Sequence, residues 1–331
     1  MLKERLREAG VTADFKNSAI LITGGLGFVG LAIAQRLLTE QLGPVVLFDC
    51  RDHLPPAFLS AEQEGRIRVV KGDIRNAADV QRAMEGCRYV FHEAAIRVTK
   101  CAKEPRLAHE IMGDGTFNVI DACLANKVKK IIFASTAVVY GDPLELPLKE
   151  SHPLHDTTLY GVLKTFGEHL LRFYHQQFGL DYAILRYFNV YGRGMNLFGP
   201  EIEVLIRWLD RIDQGLAPLI FGDGKQTLDY VHIGDVAEAN WKALQPGVSA
   251  EAFNVCTGRE TSILELLEVL LRLKSSKLEP EFHEARTVNQ VPRRFGDPAK
   301  ARAGLDFHAQ VPLEEGLRDL IEWRESVRLP L

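Results

Sequence analysis

The stretch TGGLGFVG, residues 23–30, decides how the first half of this chain is expected to fold. It follows a short β-branched run, AILIT, and it opens an amphipathic stretch that begins at Val29. Gly24, Gly27 and Gly30 form the pattern GxxGxxG, in which glycine permits a sharp turn, close approach of the backbone to a pyrophosphate, and close packing of helix on strand. The start of a helix favours the same anion. Because strand, turn and helix follow in this order, the stretch predicts a dinucleotide-binding turn.

The alternation of short apolar runs and amphipathic stretches continues along the chain. Candidate strands are residues 19–23, 45–49, 67–73, 89–94, 130–135 and 181–187, and candidate helices are residues 29–40, 77–85, 106–125 and 160–178. This order is typical of a parallel sheet covered by helices on both faces. The sequence therefore predicts an α/β fold with a doubly wound parallel sheet of the Rossmann type.

The texture of the sequence changes after Tyr191, where Gly, Pro and polar residues become frequent. We predict an N-terminal arm over residues 1–17, a Rossmann domain that binds the dinucleotide over residues 18–191, and a smaller substrate-binding lobe over residues 192–331. Segments near 229–257 are expected to return to the main domain as strands, so that the two regions are intertwined. The C-terminal stretch LEEGLRDLIEWRESV is expected to form an amphipathic closing helix.

Composition and charge exclude several classes of protein. Of 331 residues, 46% are hydrophobic and 25% charged, and no apolar run approaches the roughly 20 residues of a membrane span. The formal net charge of −4 and the dispersed basic residues give no reason to expect nucleic-acid binding. The five cysteines show neither CxxC nor Cys/His zinc spacing, which predicts free thiols and no metal site. With a charged N-terminus and no secretory pattern, the expected location is the cytoplasm.

The second candidate strand ends at Asp49, about 20 residues beyond the glycine turn. A carboxylate there can accept hydrogen bonds from both hydroxyls of an adenosine ribose and repels a 2'-phosphate. NAD is therefore the predicted cofactor, with NADP as the alternative that Arg51 keeps open. Asp73 and Ile74 are predicted to flank the adenine. Further predicted cofactor contacts are Phe28, Val29, Ala94, Ala95, Arg97 and Ser135.

The pentapeptide YGVLK places Tyr160 and Lys164 at positions i and i+4, which share one face of a helix. A lysine ammonium, together with the positive charge of oxidised nicotinamide, favours phenolate and lowers the pKa of a tyrosine. Tyr160 is then a candidate general base for a sugar or alcohol hydroxyl. A hydroxyl at the end of the fifth strand could bond to the same substrate oxygen; Thr136 is the preferred candidate and Ser135 the alternative.

With these residues in place, the chain resembles the extended short-chain dehydrogenase/reductases, and within them the NAD-dependent epimerase/dehydratase group that acts on nucleotide-activated sugars. The resemblance spans residues 18–326. It rests on TGGLGFVG, KGDIRN, FHEAA, FASTAVVYG, YGVLK, LRYFNVYG, FGDGKQTLDYVHIGDVAEA, RRFGDPAKA and EEGLRDLIEW.

The resemblance implies roles for particular residues. Thr136, Tyr160 and Lys164 become the catalytic set, and Lys164 also contacts the nicotinamide ribose. It further implies that Phe188 lies by the nicotinamide, that Asn189 lies by the substrate phosphates, that the segment ending at Phe221 packs on the nucleotide base, and that Arg286 reaches the nucleotide, although one extra residue separates Arg286 from Asp297.

The residues after Thr136 distinguish the reactions of the family. Sugar dehydratases resemble TDEVYG there, with an acid and a base, whereas this chain has Ala137 and Val138, which cannot transfer protons. The expected activity is NAD-dependent 4-epimerisation of a nucleotide sugar, a UDP-hexose or its N-acetyl form. The alternatives are a ketoreductase or dehydrogenase with the same Tyr and Lys, and a non-catalytic NAD-binding regulator. A uronate-specific epimerase is disfavoured by Asn189 and Asn196.

Two positions depart from the family pattern, and the resemblance also implies a dimer interface. Leu228 stands where an arginine usually binds the diphosphate, and Met112 replaces an asparagine that often supports the cofactor. Either one of Arg193, Lys225, Arg286, Arg293 or Arg294 is expected to compensate for Leu228, or the substrate is not a standard nucleotide sugar. The resemblance also implies a homodimer formed by the helices at 106–125 and 160–178.

Overall fold

The chain forms a large sheet, three small sheets and twelve helices among the residues that the computed structural model describes, namely 15, 18–40, 42–199, 202–285 and 291–327. The strands are β1 (Ala19–Thr23), β2 (Val45–Asp49), β3 (Ile67–Lys71), β4 (Cys87–His92), β5 (Lys130–Thr136), β6 (Asp181–Tyr187), β7 (Asn189–Tyr191), β8 (Leu219–Phe221), β9 (Thr227–Leu228), β10 (Tyr230–His232), β11 (Glu251–Val255), β12 (Thr261–Ser262), β13 (Glu281–His283) and β14 (Arg293–Arg294).

The helices are α1 (Phe28–Leu38), α2 (Leu59–Gln63), α3 (Ala77–Met84), α4 (Val98–Lys103), α5 (Pro105–His109), α6 (Gly115–Ala125), α7 (Leu159–Phe178), α8 (Val204–Asp213), α9 (Ile233–Leu244), α10 (Ile263–Leu273), α11 (Ala299–Leu305) and α12 (Leu313–Val327). A π-helical turn, Glu110–Asp114, separates α5 from α6. The predicted continuous helix over 106–125 is therefore wrong in detail, because the chain there makes two helices with a wider turn between them.

The main sheet has seven parallel strands in the order β11-β6-β5-β4-β1-β2-β3. Every residue of β2 and β5 is buried, as expected of strands covered on both faces. This arrangement confirms the predicted doubly wound Rossmann sheet. Strand order reverses between β1 and β4, and the crevice outside the carboxyl ends of the strands at such a point is where ligands bind in these folds.

The sheet separates two apolar cores. On one face, α1 and α9 pack on the sheet through residues such as Ile33 and Val236. On the other face, α3, α6 and α7 contribute Val80, Val119 and Leu171. Both cores are formed by the apolar faces of helices that directly follow or precede strands in the chain. This packing fixes the positions of the strand ends.

The smaller lobe has its own core, formed by α8, α10 and α12 around Trp208, Leu266 and Leu317. The chain then returns to the main sheet, since β11 pairs in parallel with β6. Strand β10, by contrast, pairs with β7 in a separate two-stranded sheet. Of the predicted arm over residues 1–17, only Phe15 lies within the described residues, and its ring packs against Tyr89.

Two negative results concern the described part of the chain. No helix there is both long enough and apolar enough to cross a membrane. The same residues contain no group of three or more His, Cys, Asp or Glu side chains placed to hold a metal ion.

His92, at the carboxyl end of β4, makes the fold sensitive to acid. Its ring is 1% exposed and lies between the hydroxyls of Thr23 and Thr116, at 2.7 and 3.1 Å. Burial, with a smaller contribution from the charge of Lys164, lowers the pKa of His92 to about 3. The folded protein therefore holds this imidazole neutral, while the unfolded chain takes up a proton below about pH 6.5.

The direction in which the free energy of unfolding changes with pH follows from that difference in bound protons. The stabilisation is present above pH 6.5 and is lost as the pH falls, by about 2 kcal/mol between pH 7 and pH 5. Urea unfolding of the wild type should give a lower free energy of unfolding at pH 5 than at pH 7. In His92→Gln this decrease should be smaller by about 2 kcal/mol. Equal decreases in the two proteins would contradict the assignment.

Candidate active site

A cavity of 1390 Å³ opens at the carboxyl ends of the central strands and is closed on its other side by the smaller lobe. Most predicted site residues line it. They are Gly24, Gly27, Phe28, Val29, Gly30, Asp49, Asp73, Ile74, Ala94, Ala95, Arg97, Ser135, Thr136, Tyr160, Phe188 and Asn189. The cavity thus joins the glycine turn at one end to Tyr160 and the second lobe at the other, and we call it the cleft below.

The glycine turn has the geometry that a dinucleotide site requires. Gly24 has φ +64°, and a Cβ there would lie 2.9 Å from the backbone of Ala94. A Cβ on Gly30 would lie 2.4 Å from the carbonyl oxygen of Gly24. Helix α1 begins after Gly27, which has no side chain to cap it, so the first N–H groups of the helix point toward the cleft. The turn can therefore hold a pyrophosphate.

Asp49 lies at the end of β2 beside this turn and is 7% exposed. Its carboxylate accepts hydrogen bonds from the backbone N–H of Leu26, at 3.1 Å, and from the guanidinium of Arg51, at 3.1 and 3.2 Å. Burial acts to raise the pKa of Asp49, but the hydrogen bonds and charge of Arg51 outweigh it and lower that pKa. Asp49 is therefore an anion, as hydrogen bonding to ribose hydroxyls requires, and the exposed Arg51 is free to give way to a ribose.

Tyr160 and Lys164 occupy one face of α7, as their spacing predicts. Tyr160 lines the cleft, whereas Lys164 is 4% exposed beneath it, with its Nζ 5.9 Å from the centre of the Tyr160 ring. The Lys164 ammonium donates a hydrogen bond to the carbonyl oxygen of Ala134 at 2.6 Å. The two side chains thus meet at the deep end of the cleft.

Taken together, the protein's own groups raise the pKa of Tyr160, although the charge of Arg97 acts to lower it. Burial raises it, with smaller contributions from Cys101 and Glu93 in the same direction, and Lys164 directs its ammonium at a backbone carbonyl. That Lys164 and oxidised nicotinamide together lower this pKa therefore stays a prediction. The positive charge of oxidised nicotinamide would have to supply that lowering.

Thr136 and Ser135 have different environments at the end of β5. The Thr136 hydroxyl lines the cleft and accepts a hydrogen bond from the backbone N–H of Val138 at 3.2 Å. The Ser135 hydroxyl instead donates to Glu168 at 2.7 Å in the buried core. Of the two candidates, only Thr136 therefore has a hydroxyl proton free of a buried carboxylate, which favours it as the substrate-facing group.

The residues predicted for the far side of the cleft agree with the structure only in part. Phe188 packs under Gly296, where a Cβ would lie 2.6 Å from the ring, and Asn189 donates to the carbonyl oxygen of Asp229 at 3.2 Å. Phe221 does not line the cleft, because β8 pairs with β13 and its ring packs against His283. Arg286 lies outside the described residues. The roles predicted for both stay predictions.

The structure shows what surrounds Leu228, which lines the cleft. Arg293, beside it on β14, bonds to Glu260 at 2.6 Å, and Arg193 is engaged by Asp319. Arg294 pairs in register with Leu228 but is buried at 3% exposed. Neither arginine of β14 lines the cleft. The cation that reaches the cleft from α8 is Arg207, for which the sequence offers no signal beyond an exposed helical position.

Met112 lies in the π-helical turn and is 2% exposed. Its Sδ is 3.8 Å from the Sγ of Cys101, and both belong to a small apolar cluster that contacts Tyr160. Tyr160 therefore packs against apolar side chains at the position where the family pattern has an asparagine.

Glu93 is a site residue that the sequence reasoning missed. It follows β4, lines the cleft, and accepts a hydrogen bond from the Tyr187 hydroxyl at 3.2 Å. A usable signal was its acidic side chain at the end of a candidate strand, a position that it shares with Asp49.

Comparison with known proteins gives a consistent result. A family model described as the NAD dependent epimerase/dehydratase family matches residues 20–256. A putative UDP-glucose 4-epimerase of Methanocaldococcus jannaschii is 33% identical over 93% of this chain and 98% of that protein. A UDP-N-acetyl-alpha-D-glucosaminuronate decarboxylase of Bacillus cytotoxicus is 33% identical over 93% of this chain and 98% of that protein. The crystal structure of a UDP-glucose 4-epimerase of Thermotoga maritima with UDP-glucose has a TM-score of 0.86 and 31% identity, covering 94% of this chain and 100% of that one.

Proposed function

Because the chain belongs to the NAD-dependent epimerase/dehydratase family, we propose that it is a UDP-sugar 4-epimerase with Tyr160 as its base. NAD is its cofactor, held by the glycine turn and Asp49. By comparison with the relatives, the proposed substrate is a UDP-hexose or its N-acetyl form. Held by these residues, NAD would supply the hydride acceptor and donor that reaction at C4 of the sugar requires.

One observation carries the choice of reaction. Around the deep end of the cleft, the two residues that follow Thr136 are Ala137 and Val138, which are 2% and 9% exposed and carry no group that can transfer a proton. Elimination of water by the route of the TDEVYG pattern, or decarboxylation that uses the carboxylate of that pattern, needs such a group at these two positions in addition to Tyr160. We therefore do not assign the reaction of the decarboxylase relative to this chain. Epimerisation at C4 needs only one base and a hydride carrier.

The chain's own residues would act as follows. Tyr160 removes the proton of the 4-hydroxyl, Thr136 holds the same oxygen by a hydrogen bond, and Lys164 supplies positive charge beneath the phenolate. The 4-keto sugar then turns over within the cleft, and Tyr160 gives the proton back to the oxygen on the other face. The base is regenerated in every cycle, so no proton has to leave the site.

The experiment that tests the function is turnover of a panel of UDP-, GDP-, CDP- and dTDP-sugars, with products separated by chromatography and identified by mass spectrometry and NMR. We expect interconversion of two C4 epimers of a UDP-sugar with no net change in absorbance at the NADH band. A ketoreductase or dehydrogenase would consume or produce NADH in proportion to product. Stoichiometric NADH change, or release of water or carbon dioxide from the sugar, would overturn the proposal.

We also propose that the protein is a homodimer through α6 and α7. Phe166 and Phe173 on α7 and Phe117 on α6 are large apolar side chains that stay 40–50% exposed. Together with Phe178 they form an exposed patch of the kind that marks protein interfaces. Leu163 and Leu171, which the sequence also placed on this helix, are instead buried in the chain's own core.

Phe173→Asp is expected to convert the dimer into a monomer, because a charge in an apolar interface has no partner. Light scattering after size exclusion measures the mass directly. Phe282→Asp is the matched control, since Phe282 is similarly exposed, at 54%, on β13. A wild-type monomer, or a dimer that persists in Phe173→Asp, would contradict the proposed interface.

A further inference from the structure

A carboxylate that the proposed mechanism does not use lies at the deep end of the cleft. The backbone N–H of Glu93 donates to the carbonyl oxygen of Thr23 at 3.2 Å, which fixes the residue at the ends of β4 and β1. Asn240 Nδ2 donates to the Tyr187 hydroxyl at 2.8 Å, and the hydroxyl proton is shared between the Glu93 carboxylate at 3.2 Å and Asn240 Oδ1 at 3.1 Å. The side chain of Glu93 is thus oriented by a chain of two hydrogen bonds.

Strand register brings the backbone of Glu93 close to Ala134, the residue whose carbonyl oxygen holds the ammonium of Lys164. His92 is paired with Phe133 between β4 and β5, so Glu93 lies next to Ala134 on the neighbouring strand, about 5 Å away. The carbonyl oxygen of Ala134 accepts the hydrogen bond from Lys164 Nζ. An acid from β4 and an ammonium from α7 therefore occupy the same buried corner.

The titratable groups around Glu93 come from two neighbouring elements. Lys164 and Tyr160 face it from α7, and Tyr187 faces it from β6. Arg97 and Cys101 act on Tyr160 from the other side. The ring of His92 is held between Thr23 and Thr116, and the charge of Lys164 contributes to the lowering of its pKa, so this neutral imidazole also belongs to the surroundings of Lys164.

Burial and mutual attraction oppose each other here. Burial raises the pKa of Glu93 and lowers the pKa of Lys164, because each group loses hydration as an ion. The charge of each partner acts in the opposite sense on the other. The carboxylate of Glu93 also adds to the rise in the pKa of Tyr160.

We propose that Glu93 is a positioning residue that acts through Lys164: its carboxylate keeps Lys164 as an ammonium beneath Tyr160 and so sets the pH range in which the Tyr160 and Lys164 pair works. This inference rests on the proposed function for its kinetic readout alone. Removal of the carboxylate would let both Lys164 and Tyr160 lose their protons at lower pH.

The first test is the pH profile of kcat in Glu93→Gln, which keeps an oxygen for the Tyr187 hydroxyl. Both limbs of the profile should move to lower pH by about one unit. Glu268→Gln, which removes an exposed carboxylate on α10, is the control and should leave the profile in place. A uniform loss of rate with unmoved limbs would mean that Glu93 is only structural and would overturn the proposal.

The second test needs neither substrate nor cofactor. In protein labelled with carbon-13 at lysine Cε, the Lys164 signal is identified by its disappearance in Lys164→Arg and titrated by NMR. Its midpoint should fall by about one unit in Glu93→Gln. If that variant does not fold, Glu93→Asp, which withdraws the carboxylate by one methylene, should give a smaller shift in the same direction. An unchanged midpoint in the variant that folds would refute the inference.

The two tests separate the failure of this inference from failure of the proposed function. If no sugar nucleotide is turned over, the Lys164 titration still decides whether Glu93 holds the ammonium. If turnover is found and the Lys164 midpoint does not move, the function stands and the role of Glu93 does not.

Discussion

Tyr160→Phe is expected to lower kcat by about 10²- to 10⁴-fold, which is the contribution of a positioned general base. The phenylalanine keeps the ring that packs in the apolar cluster with Cys101 and Leu163, so the fold and the glycine turn should be undisturbed. Bound NAD, measured after denaturation of the purified protein, should remain at the wild-type level. The defect should therefore appear in kcat and leave NAD content unchanged.

Tyr174→Phe is the matched control for this substitution. Tyr174 lies on the same helix, and its hydroxyl contacts Asp121 at 3.3 Å on the side away from the cleft. Its removal should change kcat by less than a factor of about three. If Tyr160→Phe retained more than about a tenth of wild-type kcat, Tyr160 would not be the base.

Glu168→Ala is expected to destabilise the fold by about 3–5 kcal/mol, the cost of leaving a buried charge without its partner. Glu168 is fully buried and accepts bonds from Arg186, at 2.9 and 2.7 Å, and from Ser135, at 2.7 Å. Arg186 is 2% exposed, so its guanidinium cannot turn to water when the carboxylate is removed. This network joins β5, β6 and α7 directly beneath the residues that carry the proposed chemistry.

Urea unfolding followed by circular dichroism measures this effect. Glu314→Ala is the control, because Glu314 pairs with Arg272 and Arg318 at the surface and should change the free energy of unfolding by less than about 1 kcal/mol. A value for Glu168→Ala within about 1 kcal/mol of wild type would show that Arg186 finds another partner.

Features encoded within a few consecutive residues could be predicted from the sequence. The glycine turn depends on spacings of three residues, and Tyr160 and Lys164 share a face because they are four apart on one helix. The parallel sheet followed from the repeated alternation of strand and helix. Each of these predictions needs only local geometry.

Features that depend on contacts between distant segments could not be predicted in this way. Glu93 lies near Ala134, which accepts the hydrogen bond of Lys164, because β4 and β5 are neighbours, and Glu168 meets Arg186 across a helix and a strand. The break between α5 and α6 is a matter of helical geometry that the apolar pattern does not encode. Strand β10 is fully buried like the central strands of the main sheet, yet it pairs with β7, since pairing is determined by the tertiary arrangement.

The central claim is that a hydride leaves C4 of the sugar and returns to C4 within one site. The most direct measurement uses UDP-glucose and UDP-N-acetylglucosamine carrying deuterium at C4, incubated with the enzyme in ordinary water and followed by NMR. We predict that the epimer formed keeps its deuterium at C4 while no NADH accumulates in solution. Exchange of the C4 deuterium for solvent hydrogen, or NADH released in proportion to product, would contradict the account.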